Sequence, residues 1–196
     1  ISQASLSLEA VNGSTASFTV YSNYSWTATS DQSWISITPA TGNASLSEQT
    51  ITISATENDR DAIRTAIVTV KNETGTSKTI TVTQKAPSMS VRIMYEPIDY
   101  KDLTNFAVVT SDVGWKLSSD QSWLTFQQTS GNVSENVKLI YSENPESADR
   151  TATITLTNTS GTIVKTTTFT QPGKPKTYYI VNQVTEASAL EDGAFY

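Results

Sequence analysis

The clearest pattern in the chain is an alternation. Ala66, Val68 and Val70 are separated by Ile67 and Thr69, and Ala152, Ile154 and Leu156 alternate with Thr151, Thr153, Thr155 and Thr157. A period of two is that of a strand with one buried face. The runs Thr79–Gln84 and Thr167–Gln171 continue the pattern after Gly75 and Gly161, so each pair of runs reads as a closing hairpin. Earlier strand candidates are Ser5–Leu8, Ala16–Ser22, Tyr24–Ala28, Trp34–Thr38 and Thr50–Ala55. Turn residues at this spacing predict about seven strands per unit, as in a β-sandwich. No segment holds a helical period, so the predicted class is all-β.

The pattern occurs twice. Trp26-Thr-Ala-Thr-Ser-Asp-Gln-Ser-Trp34 returns as Trp115-Lys-Leu-Ser-Ser-Asp-Gln-Ser-Trp123, and Gly42, Arg64, Gly75 and Gln84 return as Gly131, Arg150, Gly161 and Gln171. The offsets run from 86 to 89 residues, the drift that small loop insertions produce when strands are kept. The expected domains are therefore 1–86 and 87–173. An odd number of crossings brings the chain in at one pole and out at the other, so the copies should stack end to end. Their linker, Lys85-Ala86-Pro87, reaches only about 10 Å and carries a proline, which predicts a semi-rigid rod. Residues 174–196 do not match the repeat and are expected to be a linker and the first strand of a further domain.

Composition sharpens this reading. Of 196 residues 26 are Ser and 32 are Thr, and Thr suits a pleated, half-exposed surface better than a helix. The net charge of −6 with only 13 Lys and Arg leaves no basic stripe for a phosphate backbone, so nucleic acid is not an expected partner. No apolar run approaches the length of a bilayer span, so no direct membrane insertion is expected. The chain has no Cys and no His, which removes thiolate nucleophiles, imidazole bases and the commonest soft metal ligands. There is no phosphate loop, nucleophile elbow or metal motif. No enzyme activity, catalytic residue, metal or cofactor is expected.

The combination of a Trp, then Ser-Asp-x-x-Trp, a Gly turn, an Arg opening a Thr-Ala strand and a closing Thr-x-Thr-Gln resembles the BACON domain. The likeness covers both copies. It implies two tandem immunoglobulin-like Greek-key β-sandwiches in a secreted or surface protein of gut Bacteroidetes, anchored outside this segment and placed beside glycan-active domains. The family is associated with carbohydrate binding, with a spacer or presentation stalk as the competing role. Adhesion through a protein partner is a third, for which Tyr95, Tyr100, Phe106 and Tyr141 are candidates, although their places on or beside strands suit core packing.

Several residues could carry binding chemistry. An indole face can stack on a pyranose while nearby amides and carboxylates take its hydroxyls. Trp26 and Trp115 are expected in the core, which leaves Trp34 and Trp123, with Asp31, Gln32, Asp120 and Gln121, as the candidate glycan site. The two Asp residues are instead expected to accept backbone N–H bonds and fix their own turns. Glu57-Asn-Asp-Arg-Asp61 is the densest oxygen cluster and could hold calcium, but Glu143–Asp149 lacks its spacing, and both read as solvated loops. Arg64 and Arg150 should pair with a carboxylate or cap a loop rather than meet a substrate.

Overall fold

The structure, a computed structural model, describes residues 1–176. The expected strand at the start of a further domain falls in 177–196 and lies outside the described residues. The first copy contains β1 (Ser5–Leu8), β2 (Ser14–Ser22), β3 (Trp26–Ser30), β4 (Ile35–Thr38), β5 (Thr41–Gly42), β6 (Ser45–Ala55), β7 (Arg64–Asn72) and β8 (Ser77–Gln84). The second contains β9 (Met89–Ile93), β10 (Phe106–Ser111), β11 (Trp115–Ser119), β12 (Thr125–Phe126), β13 (Ser130–Gly131), β14 (Glu135–Ile140), β15 (Arg150–Asn158) and β16 (Val164–Gln171). Each copy has eight strands rather than seven, because two-residue strands at Gly42 and Gly131 pair with β3 and β11. No helix occurs among the described residues.

In the first copy a sheet ordered β1-β8-β7-β3-β5 faces a second ordered β2-β6-β4, and in the second copy β13-β11-β15-β16 faces β12-β14-β10-β9. The alternation read from sequence is the in-and-out pattern of these strands: Ala66, Val68 and Val70 are buried, as are Ala152, Ile154 and Leu156. Burying a large aliphatic or aromatic side chain stabilises by about 1.5–3 kcal/mol, and each sandwich encloses its own cluster. Phe18, Trp26, Ile51, Ile53 and Ile80 belong to one, and Trp115, Leu139, Ile154, Leu156 and Phe169 to the other. β6 starts five residues earlier than the expected Thr50, since Ser45–Gln49 has no fully buried position and so shows no alternation.

Trp26 and Trp115 are the core plugs that the sequence suggests, and Gly42 and Gly131 explain their fit. A Cβ at either glycine would lie 2.3 or 2.4 Å from the indole, so only glycine lets the short strand approach the ring. Each indole N–H is satisfied: Trp26 Nε1 donates to Gln49 Oε1 at 2.9 Å and Trp115 Nε1 to the Val133 carbonyl at 2.8 Å. The hairpin glycines Gly75 and Gly161 have φ of 92° and 77°, a left-handed conformation that costs other residues more.

The copies differ in their first strand. β1 runs parallel to β8, with Ser5 opposite Thr81 and Leu8 opposite Gln84. β9 instead runs antiparallel to β10 in the facing sheet, with Met89 opposite Ser111. Between the copies, Ala10 packs into the second cluster, Thr162 donates its hydroxyl to the Asp59 carbonyl, and Lys165 pairs with Asp61.

Candidate functional site

The repeated Ser-Asp-Gln-Ser-Trp segment forms the turn that leaves β3 and β11. Ser30 Oγ accepts the Gln32 N–H at 3.1 Å, and Ser119 Oγ accepts the Gln121 N–H at 3.1 Å, so serine fixes the turn. The aspartates do something else. Asp31 Oδ1 accepts the Ile67 N–H at 2.7 Å while its own N–H donates to the Ile67 carbonyl at 3.1 Å. Asp120 makes the same two bonds with Thr153, at 2.7 and 3.2 Å. Each carboxylate thus continues the ladder past the end of its strand, which corrects the expectation of a purely local role. The Thr153 N–H holds the Asp120 carboxyl below its ordinary pKa, because that bond favours the charged form.

The tryptophan that ends this segment is half-buried in both copies and packs against the core. The Arg64 guanidinium lies 4.4 Å from the Trp34 ring centroid, and Arg150 lies 4.2 Å from that of Trp123. A guanidinium over an indole is a favourable cation–π contact, and it covers one face of each ring. Arg64 is itself held: Nε donates to Gln84 Oε1 at 2.7 Å, and Nη2 to the Thr56 and Glu57 carbonyls at 2.9 and 2.8 Å. Arg150 repeats this with Gln171 at 2.9 Å and the Ser142 carbonyl at 2.7 Å. Burial lowers both guanidinium pKa values. The expectation that each Arg caps a loop holds, with carbonyls rather than carboxylates as its main partners; Asp59 stands 3.7 Å from Arg64.

Beneath the arginines lies a buried amide layer that sequence reasoning did not assign. Gln84 Nε2 donates to the Glu9 and Thr56 carbonyls at 3.0 and 2.9 Å, and Gln171 Nε2 to Tyr100 and Ser142 at 3.2 and 3.1 Å. Asn58 and Asn144 are 0% and 1% exposed and bond to the chain that leaves each copy. A signal existed: in both copies Asn follows Glu and precedes the strand-opening Arg by six residues.

The other candidates are scattered. Asp31 and Gln32 are exposed and Gln121 half-buried, beside their tryptophans in sequence. The two turns belong to different sandwiches, so Asp31 and Asp120 do not form one carboxylate pair. Burial, then the charges of Asp59 and Asp112, raise the Glu57 pKa. Tyr95 is 55% exposed, against the expectation of core packing, whereas Tyr141 is 9% exposed, and burial, reinforced by Asp102, pushes its phenol up to about 12. Tyr21 and Tyr24, at 59% and 40%, are also exposed aromatics.

The family model described as viral BACON domain matches residues 1–87 and 96–174. The chain belongs to the BACON family. BACON and immunoglobulin-like domains are in general non-catalytic. No curated protein matches the chain. Among solved structures, a Bacteroides ovatus GH5 xyloglucanase in complex with a XXXG heptasaccharide is 26% identical over 49% of this chain and 20% of its own, with a TM-score of 0.39. This chain therefore spans about a fifth of that enzyme's length. The D00-D0 domain of intimin (10% identity, 87% and 95% coverage, TM-score 0.34) and protocadherin gamma B7 cadherin domains 1–4 (15%, 75% and 40%, 0.31) are also similar. At such TM-scores these likenesses carry no functional inference. Among the described residues no helix is long and apolar enough to cross a membrane.

Proposed function

We propose that the two BACON domains, 1–86 and 87–173, form a spacer of fixed geometry that presents neighbouring domains of an extracellular or cell-surface protein. The observation that carries this reading is the junction. A residue of the first copy, Ala10 in the turn after β1, is buried in the hydrophobic cluster of the second, and Asp59 and Asp61 in the loop after β6 make polar contacts with Thr162 and Lys165. Two copies on a loose tether would need neither contact. The repeated polar constellation supports the same reading, since Arg64, Arg150, Gln84 and Gln171 direct their hydrogen bonds to groups within the protein. A surface protein of a gut Bacteroidetes glycan-utilisation system would use such a stalk to hold a glycan-active neighbour away from its anchor; the viral description of the matching family makes a virus-encoded carrier the other source.

Small-angle scattering of the pair tests the spacer. A single extended conformer, unchanged by ligand, is expected; a broad ensemble of interdomain arrangements would sink the idea. Carbohydrate binding through Trp34 and Trp123, with Asp31, Gln32, Asp120 and Gln121, is the second reading, favoured by the partial exposure of both rings. A glycan array with the intact pair and a folded Trp34→Ala/Trp123→Ala variant decides it: saturable binding lost in the variant would displace the spacer as the sole role.

A further inference from the structure

We infer that Asn58 and Asn144 are exit clamps, which set the direction in which the chain leaves each sandwich. This rests on the spacer reading and names the residues that would make it rigid. The Asn58 carboxamide donates from Nδ2 to the Ala62 carbonyl at 2.8 Å and to the Lys85 carbonyl at 2.8 Å. Its Oδ1 accepts the Arg60 N–H at 3.1 Å, and its own N–H donates to the Ala10 carbonyl at 2.8 Å. The buried side chain therefore joins the loop after β6 to the first residue of the linker, and the main chain of the same residue joins both to the turn after β1.

The second copy repeats the device where its own chain departs. Asn144 Nδ2 donates to the Ala148 carbonyl at 2.8 Å, to Pro172 at 3.2 Å and to Gln171 at 3.4 Å, while Oδ1 accepts the Glu146 N–H at 3.2 Å. Lys85 and Pro172 hold corresponding places, one residue after Gln84 and Gln171. The departing chain is then led across the same loop: the Gly173 N–H donates to Asp149 Oδ1 at 2.9 Å and the Lys174 N–H to the Glu146 carbonyl at 2.7 Å. Gly173 fits there because a Cβ would lie 2.4 Å from the Ser147 backbone.

A general structural role would make a buried amide matter for stability alone. The geometry adds a direction, because both amides bond the carbonyl at the point where a strand becomes a linker. An unpaired carbonyl at that point could be hydrated in many orientations, whereas one bonded to a buried donor has a single path.

The protein has no cysteine, so nitroxide labels can be placed at the exposed Glu73 and Gln127, one in each copy, and their distance distribution measured by pulsed electron resonance. The unsubstituted pair should give one narrow distance. Asn58→Ala should at least double its width. Asn144→Ala should leave that width unchanged and instead speed amide exchange at Gly173 and Lys174 at least tenfold. Should either alanine variant unfold its copy, Asn58→Ser and Asn144→Ser are read by the same criteria. A width that Asn58 substitution leaves narrow, or that Asn144 substitution broadens equally, would overturn the clamp. A broad distribution in the unsubstituted pair would overturn the spacer reading itself.

Discussion

The two copies share a signature and differ at one edge. In the first, β1 extends the sheet of β8, and the Lys85 N–H closes that ladder on the Leu8 carbonyl at 2.9 Å. In the second, the corresponding position is Pro172, which has no N–H to give. β9 joins β10 instead, and a longer segment, Met94–Asn105, separates those two strands where Glu9–Gly13 suffices in the first copy. The core and the Trp-Arg-Gln layer are unaffected by this exchange. The edge pairing thus changes together with one backbone donor and the length of the loop that follows, while the centre of the sandwich is held by side chains that both copies keep.

That contrast can be broken or sharpened by substitution. The largest effect should fall on what the copies share: Trp26→Ala and Trp115→Ala should each destabilise their own copy by about 3–5 kcal/mol in urea melts. Unequal losses would show that the edge difference reaches the core. Gly42→Ala and Gly131→Ala force a methyl against the indole and should cost about 1–3 kcal/mol each, an overpacking penalty read by the same melts.

Lys85→Pro probes the edge directly. Removing one ladder donor should cost the first copy about 0.5–1.5 kcal/mol and speed amide exchange in β1, with Lys85→Ala as the control for the exposed Lys85–Glu9 ion pair. If β1 keeps its protection with proline at 85, the missing donor is not what sends β9 to the other sheet. The smallest effect concerns Asp120, whose folded-state pKa lies below its ordinary value. Such a group contributes stability that is complete above the ordinary carboxylate range and is lost as pH falls through the depressed value. Asp120→Asn should therefore flatten the acid side of the second copy's stability profile, measured as urea midpoint against pH.

Much of this is legible in the amino-acid sequence. Period-two alternation at 64–70 and 150–156 depends on one buried face, and a sandwich supplies one, so strands and core residues could be read directly. The identity of Ser30–Trp34 with Ser119–Trp123 exposed the duplication. What alternation cannot show is a strand with no fully buried position, hence the missed start of β6 at Ser45 and the two-residue strands at Gly42 and Gly131. The candidate site was legible only as a list. Trp34 and Trp123 were found, but the guanidinium over each ring comes from a residue 30 or 27 positions away. Asp31 was found, but its partner Ile67 is on another strand.

By itself the amino-acid sequence determined a duplicated all-β domain without thiol or imidazole chemistry, because composition and period are local properties. The tertiary structure alone decided which sheet takes the first strand, what covers each tryptophan, and where the buried Asn58 and Asn144 amides send their hydrogen bonds. Those outcomes depend on groups far apart in the chain meeting in a space from which water is excluded, where an unpaired donor is costly enough to select one arrangement.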